Sequence, residues 1–531
     1  MKRFAAALFL LAAVVVLYRK TIRLWWTYDD PWLLHRAIER PWFHAFMPAD
    51  TWHRVAAPLL DSTFEAMVNL AGLEAHRWYR FQLLLLALCA FTVFAALRLY
   101  LKTVPSVAGA FLFLAGAPAC TFVTHLMLMH YLETIALAAL SLIAFVHASR
   151  RQSNALMLLS ALCYLVAMLG DGAAVLLPLV LLALPERTVR VRARHLVFHV
   201  VMLGAYLAWR IANEETIGVT AWTIGLRDIP GLIATLPLKL VEKWAGASTG
   251  VGLVAIAFLA IGIGIAFWKR NATALALTGL FVALAPIVLV SKDMQPAWAF
   301  IPWLWACAAF VCGAAALRSA SQNVLLLAAA IAVVIANRQE WTEQFAKSER
   351  MSDEARAFVA LGSADVLRLP AVPPGSMNEL RWLKEEYFRR ARGTGWYYDD
   401  LFLCGGAPLE QKRFFEYIPE RREVVEVTAR IPDFARAYCS SIRDRAPLRA
   451  EFRHRRDALF WRFGPYRDGK WRVVLGGGLQ AFDVPREDGF RLPGVAGLAL
   501  RVRYQSPEGW VTYSPELNLE FARQPELVWH R

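Results

Sequence analysis

Residues 4–32 read FAAALFLLAAVVVLYRKTIRLWWTYDDPW, an apolar run that leads through an aromatic stretch into two adjacent carboxylates. No small-residue cleavage motif follows the run, which continues straight into Tyr18-Arg19-Lys20, so we expect a retained helix rather than a cleaved signal peptide. Asp29 and Asp30 then lie just beyond the point where the chain leaves a membrane. A spanning helix satisfies its own backbone without acidic residues, so this carboxylate pair indicates a chemical role.

Composition divides the chain into a membrane part and a water-exposed part. Of 531 residues, 57% are hydrophobic and 19% are charged, against about 25% charged in a typical soluble protein. Charge-free runs are concentrated in residues 1–340, whereas residues 341–531 resemble an ordinary soluble domain. The net charge of +15 does not indicate nucleic-acid binding, because many basic residues lie in short loops between apolar runs and form no basic-aromatic platform.

Apolar runs of spanning length predict a polytopic α-helical membrane protein with about eleven transmembrane helices. Loops rich in Lys and Arg alternate along the chain and share a side with Lys2-Arg3, which the positive-inside rule places in the cytoplasm. With an odd number of spans, the loop after the first helix and the C-terminal part face the periplasm or its equivalent. Several of the runs are short, and the two around Gly170-Asp171-Gly172 would form either two short helices or one broken helix. The predicted spans lie near residues 4–17, 81–101, 104–123, 132–148, 154–170, 172–185, 195–211, 249–268, 272–290, 297–317 and 322–337.

The outer loop, residues 19–80, is long for a membrane connection. Residues 31–38 and 64–71 have apolar side chains at helical spacing, and we expect two helices lying along the membrane interface. An Asp-Pro pair is also a standard helix start, with Asp30 as the N-cap and Pro31 at the first helical position. That structural role would explain Asp30, but it would leave Asp29 outside the helix.

Beyond residue 340 the sequence predicts a mixed helical connector, 341–445, followed by a β-rich domain, 446–531. Helical spacing indicates helices over 341–360 and 379–392. After residue 445, short alternating aromatic segments separated by glycine-rich turns predict a small antiparallel β-sandwich of five to eight strands. The connector contains a second acidic pair, Asp399-Asp400, for which we expect a role in a surface turn.

The cysteines fall into two groups. Cys404 and Cys439 lie in the polar part and would pair if that part faces an oxidising compartment. No CxxC or HExxH spacing occurs, so a divalent metal or other cofactor is not indicated. The other five lie in apolar runs and are typical of small buried hydrophobic residues: Cys89, Cys120, Cys163, Cys307 and Cys312.

The order of these motifs resembles the GT-C superfamily of membrane glycosyltransferases, in particular its protein mannosyltransferase and lipid A aminoarabinose transferase branches. Asp29-Asp30 lies in the outer loop, and the run HRVAAPL from His53 to Leu59 is similar to the Arg-Pro-Leu loop of the family. Arg77-Trp78-Tyr79-Arg80 then leads into the second span. The resemblance covers roughly residues 1–340, and it does not extend to the C-terminal domain.

Two later segments depart from the pattern of the family. Gly170-Asp171-Gly172 stands where many members have Lys-Glu, and the lysine is missing here. Ser291-Lys292-Asp293 stands where relatives often have an arginine-rich stretch before a proline.

The resemblance implies transfer of a sugar from a polyprenyl-phosphate carrier to a lipid, polysaccharide or protein acceptor on the outer face of a bacterial inner membrane. In this interpretation Asp29 is the general base, and Asp30 orients Asp29 or the acceptor. Arg54 and Lys292 stabilise the departing polyprenyl phosphate. The residues expected to line the substrate cavity are His53, His125, His130, Glu133 and Asp171.

Simpler structural roles compete with these assignments. His125, His130 and Glu133 would equally begin or end helices, and Asp171 would form a helix-breaking turn. An interfacial arginine is often a lipid-headgroup anchor. A metal site built from the two histidines and Glu133 lacks a fixed spacing.

Two other classes of function also stay open. A transporter or flippase for a lipid-linked glycan would predict repeat symmetry between the two halves, which the sequence does not show, and would give the large outer loop no role. A non-enzymatic envelope assembly protein would bind partners through its C-terminal domain. In that case side chains would fill the outer cavity.

Overall fold

The computed structural model describes residues 2–40, 57–186, 188–213, 257, 260–265, 267–269, 300–388, 395–405, 409–455, 458–491, 497–520 and 525–531. These residues divide into two compact units, Met1–Glu349 and Arg350–Arg531. The first unit is helical, and the C-terminal part of the second is rich in β-strand.

Helices account for the regular structure of the first unit, with short 3₁₀ turns at Arg19–Arg23, Leu126–Leu128 and Gly172–Leu176. The α-helices are α1 (Lys2–Tyr18), α2 (Asp30–Glu39), α3 (Pro58–Ala71), α4 (Ala75–Leu97), α5 (Thr103–Ala115), α6 (Ala117–Thr124), α7 (Met129–Arg151), α8 (Asn154–Gly170), α9 (Leu177–Ala183), α10 (Val189–His195), α11 (Val197–Asn213), α12 (Phe300–Ala314) and α13 (Ser319–Ala360).

Four described helical segments are long and apolar enough to cross a membrane: Arg3–Arg23, Ala75–Leu97, Leu126–Arg151 and Ser319–Ala360. A fifth candidate is the pair α5 and α6, which is bent by 56° at Gly116. The indole of Trp303 packs where Gly116 would carry a Cβ, so a larger residue would not fit there. Asn154–Gly170, Val197–Arg210 and Trp303–Ala314 are shorter apolar helices.

The described part therefore contains four or five candidate spans, fewer than the eleven predicted. The predicted spans 249–268 and 272–290 fall mostly or wholly outside the described residues. In place of the predicted span 172–185 the chain forms a 3₁₀ turn and the seven-residue helix α9. The chain thus has two short helices on either side of Asp171, one of the two arrangements expected, and the seven residues of α9 rise about 10 Å, too little to cross a bilayer alone.

The last predicted span is longer than its apolar run. We expected a span over 322–337 and a separate helix over 341–360, but α13 runs without interruption through 42 residues, about 63 Å at the usual helical rise. Its sequence contains neither glycine nor proline, the residues that most often interrupt a helix. The polar continuation of α13 consequently stays helical beyond the apolar segment.

The loops of the first unit gather at two ends of the helices. At one end Arg150 forms an ion pair with Glu186 (Nη2 to Oε1, 2.7 Å) and donates to the carbonyl of Leu99 (3.4 Å). This end thus joins three of the basic loops that the sequence places in the cytoplasm. At the other end Gln82, in the second turn of α4, donates to the carbonyl of His125 (3.0 Å). Of the predicted site residues, the ones that the structure describes lie at this second end: Asp29, Asp30, His125, His130, Glu133 and Asp171.

The N-terminal part of the second unit contains a four-stranded sheet. Its strands are β1 (Asp365–Arg368), β2 (Gly395–Tyr397), β3 (Arg413–Ile418) and β4 (Glu423–Glu426), in the order β2-β1-β3-β4. Strand β1 is parallel to β2 and β3, and β4 is antiparallel to β3. Helix α14 (Pro374–Glu386) forms the crossover from β1 to β2, and α15 (Ile431–Ser440) follows β4.

The C-terminal part contains two antiparallel sheets that share one apolar core. Along β6, Leu459, Trp461 and Phe463 are buried while the residues between them are exposed, the alternation expected of a half-buried strand. Phe463 contacts Trp471 of the other sheet (ring centroids 5.4 Å apart), which brings the two inner faces together.

The described strands of this part number nine, against the five to eight predicted. The first sheet has the order β11-β10-β7-β8 with β12 also on β10, and the second has the order β13-β5-β6-β9. The strands are β5 (Arg449–Arg455), β6 (Ala458–Gly464), β7 (Lys470–Leu475), β8 (Gln480–Val484), β9 (Glu487–Arg491), β10 (Gly497–Gln505), β11 (Val511–Tyr513), β12 (Leu517–Glu520) and β13 (Glu526–His530).

The second acidic pair does not form the surface turn that we expected. Asp399 is fully buried, and its Oδ2 accepts a hydrogen bond from Nη1 of Arg503 (2.7 Å). Asp400 is also buried and forms an ion pair with Arg368 (3.2 Å). The surface-turn prediction is wrong because arginines distant in sequence compensate both charges. Cys404 and Cys439, which flank this region, form a disulfide bond.

Candidate functional site

Asp30 fastens the loop after α1 to the start of α7. Its side chain is fully buried, with Oδ2 accepting from the backbone N–H of Thr27 (3.1 Å) and Oδ1 from that of Met127 (2.9 Å). Asp29 occupies the N-cap position of α2, and Asp30 is the first helical residue. The predicted N-cap role of Asp30 is therefore wrong, because its carboxylate points to Thr27 and Met127 rather than to the N–H groups of α2.

Burial raises the pKa of Asp30 from 3.8 to about 7. The N–H groups of Thr27 and Met127 oppose this shift by stabilising the carboxylate, and the negative charge of Asp29 adds to it. A raised pKa suits a general base that works near neutral pH. Both oxygens of Asp30 are, however, engaged by backbone donors, so its carboxylate holds the loop after α1 against the turn before α7.

Asp29 follows a residue with a strained backbone. Tyr28 has a φ of +50°, in the left-handed region that residues with a side chain seldom adopt. Its ring lies against His125 (centroids 4.1 Å apart), and Nζ of Lys347 lies 5.5 Å from the centroid of the ring. Asp29 itself is half-buried, and its carbonyl accepts the first hydrogen bond of α2, from Leu33 (3.1 Å). Tyr28 and Asp30 thus fix Asp29 from both sides.

His125 ends α6 and is buried beside this loop. Its Nδ1 lies 2.9 Å from the carbonyl of Thr121, to which it donates. This leaves Nε2 as an acceptor for the side-chain amide of Gln344, 3.4 Å away on α13. One proton on Nδ1 and a lone pair on Nε2 describe a neutral imidazole. The ring of His125 is therefore held in a fixed orientation beside the site.

The short turn between α6 and α7 connects three of the predicted residues. The N–H of Met127 donates to Asp30, and its carbonyl accepts from Nδ1 of His130 (2.8 Å). His125 immediately precedes the turn. Asp30, His125 and His130 consequently surround a single turn, Leu126–Leu128, although Asp30 is 97 residues away from Met127 in sequence.

Glu133 lies one helical turn beyond His130 on α7. It is 9% exposed, and its Oε1 accepts a hydrogen bond from the hydroxyl of Thr63 on α3 (2.7 Å). Its Oε2 is buried and has no hydrogen-bond partner among the described residues. Gly170 at the end of α8 packs against Thr134 and the carbonyl of His130. The half-buried Asp171 follows directly, so it belongs to the same end of the helices.

An apolar cavity of about 170 Å³ begins beside this cluster. Thr134, the residue after Glu133, lines it together with Ala174 and Leu176, which follow Asp171. Tyr100 and Leu101, beyond the opposite end of α4, also line it. Apart from the hydroxyls of Thr134 and Tyr100 and the indole N–H of Trp305, the lining side chains are apolar. The cavity therefore suits a hydrocarbon chain.

The structure brings six of the predicted residues to one end of the first unit: Asp29, Asp30, His125, His130, Glu133 and Asp171. Arg54, Lys292 and His53 lie outside the described residues. Among the described residues, no group of three His, Cys, Asp or Glu side chains is arranged to hold a metal ion.

Sequence reasoning missed Gln344, Lys347 and Thr63, which contact the site from α13 and α3. Lys347 is more than 300 residues away from Tyr28 in sequence, so no spacing rule connects them. The one available signal was the uninterrupted helical pattern after residue 340, which extends α13 past its apolar segment.

No protein-family model matches the chain, and no curated protein matches it.

Proposed function

We propose that the chain is an integral membrane glycosyltransferase that moves a sugar from a polyprenyl-phosphate carrier to an acceptor on the outer face of the membrane, with Asp29 as the general base. One observation carries the proposal: a carboxylate fixed beside a buried anchor, Asp30, lies with two buried histidines and Glu133 at the same end of the helices. An apolar cavity adjoins this polar cluster. A lipid carrying a polar headgroup matches both halves of the arrangement.

The proposed reaction is a single displacement with inversion at the anomeric carbon. Asp29 takes the proton of an acceptor hydroxyl, whose oxygen forms a bond to the anomeric carbon of the sugar. The bond between that carbon and the phosphate oxygen breaks, and the electron pair leaves with the polyprenyl phosphate. Asp30 takes no part in the proton transfer, and instead fixes the backbone on which Asp29 stands.

The departing phosphate needs positive charge nearby. Arg54 and Lys292 are the residues proposed for this role from the sequence. Lys347 is a further candidate, since its ammonium group contacts the ring of Tyr28, the residue next to Asp29.

The proposed location is a bacterial inner membrane, with the C-terminal unit in the periplasm. The disulfide between Cys404 and Cys439 supports an oxidising compartment for that unit, because disulfide bonds form and persist mainly outside the cytoplasm. The basic loops joined at the opposite end of the helices support a cytoplasmic location for that end.

Deleting the gene and analysing both the surface glycans and the lipid-linked sugars by mass spectrometry tests the proposal. We expect one sugar to disappear from a lipid, polysaccharide or protein of the envelope, and its polyprenyl-phosphate donor to accumulate on the outer leaflet. Accumulation of the donor on the inner leaflet would indicate a flippase instead. Unchanged glycans and unchanged donors would contradict both activities.

A further inference from the structure

Glu133 differs from the other deeply buried carboxylates discussed above. Both oxygens of Asp30 accept hydrogen bonds, as do both oxygens of Asp399. In Glu133, Oε1 is bound by Thr63, but Oε2 is buried and has no partner among the described residues. A buried carboxylate oxygen without a donor is unfavourable. A purely structural role would explain Oε1 and leave Oε2 unexplained.

The surroundings of Oε2 indicate where a donor group would come from. Glu133 lies where α3, α7 and the end of α8 meet: Thr63 binds it from α3, and Gly170 of α8 packs against its neighbour Thr134. Thr134 also lines the apolar cavity. A ligand whose hydrocarbon chain enters the cavity from the end that Thr134 lines would therefore have its polar group near Glu133.

The carboxylate of Glu133 favours some polar groups of a lipid over others. A carboxylate repels a phosphate, but it is a strong acceptor for a hydroxyl group. In the proposed donor the sugar carries hydroxyls and the phosphate carries negative charge. Glu133 therefore matches the sugar, and the phosphate would be bound elsewhere, near cationic side chains such as Lys347.

We infer that Oε2 of Glu133 accepts a hydrogen bond from a hydroxyl of the sugar on the lipid donor, and that Glu133 thereby distinguishes a sugar-loaded carrier from the bare polyprenyl phosphate. This inference rests on the proposed function. It assigns to Glu133 a role in specificity, separate from the proton transfer assigned to Asp29. Thr63 is the positioning residue, because its hydroxyl holds Oε1 and so orients Oε2.

Binding measurements on the full chain in lipid nanodiscs test the inference. The probes are polyprenyl phosphates carrying glucose, galactose, mannose, N-acetylglucosamine or an aminopentose, and the same carrier without a sugar. We expect the wild-type chain to bind at least one loaded carrier more tightly than the bare one. Glu133→Gln should reduce this preference about tenfold or more, because a neutral amide oxygen is a weaker acceptor for the hydroxyl than a carboxylate oxygen, and leave the affinity for the bare carrier unchanged.

Glu354→Gln is the matched control, because Glu354 is a buried carboxylate whose two oxygens are bound by Arg350 and by the backbone N–H of Ala371. It should keep the preference for the loaded carrier. If Glu133→Gln does not fold, Thr63→Val removes the positioning hydroxyl and should weaken the same preference to a smaller extent.

The outcomes separate the inference from the proposed function. A wild-type preference that Glu133→Gln or Thr63→Val leaves intact overturns the role of Glu133, while the glycosyltransferase proposal stands. An equal loss of affinity for loaded and bare carriers overturns it too, since it would indicate a general structural role. If the wild-type chain binds no loaded carrier better than the bare one, the proposed function fails and the inference fails with it.

Discussion

Two pairs of adjacent aspartates, Asp29-Asp30 and Asp399-Asp400, differ in what surrounds their buried members. Asp399 accepts hydrogen bonds from Arg503 and from the hydroxyl of Tyr513, and Arg472 lies 3.6 Å away. Asp30 is just as buried, but the partners described for it are two uncharged backbone N–H groups. Arginines compensate the charge of Asp399, whereas the partners described for Asp30 stabilise its charge through backbone dipoles alone.

This difference separates a structural pair from a candidate functional pair. A buried carboxylate bound by two arginines and a tyrosine stabilises the position of the strands that carry its partners. The pair at residues 29 and 30 adjoins a strained tyrosine, buried histidines and an apolar cavity. Strain and incompletely compensated charge are typical of sites where chemistry takes place.

Removing Arg503, the ion-pair partner of Asp399, should change stability more than the other substitutions below. We expect Arg503→Leu to lower the free energy of unfolding by about 3–5 kcal/mol, because Asp399 would keep a buried charge with weaker compensation. Denaturant unfolding of the full chain in detergent, followed by tryptophan fluorescence, measures this loss. Arg436→Leu is the control, since Arg436 is 80% exposed in its ion pair with Asp433. Equal stability of the two variants would contradict the structural assignment.

The anchor at Asp30 predicts a dependence of stability on pH. Because its pKa is about 7 in the folded chain and about 3.8 when unfolded, the folded state binds more protons between these values. The contribution of Asp30 to stability should therefore fall as the pH rises from 4 to 7, by at most about 1.4 kcal/mol per pH unit, and level off above 7.

Melting temperatures of the wild-type chain and of Asp30→Asn at a series of pH values isolate this contribution. The asparagine does not titrate, so the difference between the two proteins should change with pH in the stated direction. A constant difference across pH 4–8 would show that Asp30 does not titrate in this range.

Substitution of Lys347 should have the smallest effect, a modest decrease in the rate of sugar transfer. Lys347→Gln should lower transfer about fivefold, equivalent to roughly 1 kcal/mol, since the ammonium beside Tyr28 is exposed and partly screened by salt. Arg77→Gln is the comparison, because Arg77 lies at the same end of the helices and is paired with Glu74 (2.8 Å). If both variants transfer sugar at the same rate, Lys347 has no special role at the site.

The sequence could predict what depends on local pattern. Long apolar runs identified α4 and α7, and alternating aromatics identified the strands that pair in the C-terminal sheets. Composition alone left open whether the runs on either side of Asp171 form one broken span or two short helices, and in the structure α8 ends at Gly170, which packs closely against α7. That contact depends on tertiary structure and leaves no trace in hydropathy.

The same limit applies to the two acidic pairs. In sequence both are two aspartates next to aromatic residues. Asp399 meets Arg503 across 104 residues, and Asp30 meets Met127 across 97 residues. These partners meet only in the folded chain, where Asp399 accepts from an arginine and Asp30 from a backbone N–H. The predicted topology placed His125, His130 and Glu133 at the same end of the helices as Asp29. It did not indicate the contacts that Thr63 on α3 and Gln344 and Lys347 on α13 make with the site.

Sugar transfer by Asp29→Asn tests the central claim most directly. The variant, with the exposed Asp433→Asn as control, is expressed in the deletion strain, and the restored envelope glycan is quantified by mass spectrometry. We expect the control to restore the glycan, and Asp29→Asn to reduce transfer at least about a hundredfold at an unchanged melting temperature, because the amide cannot take a proton. Full restoration by Asp29→Asn would contradict the assignment of Asp29 as the base.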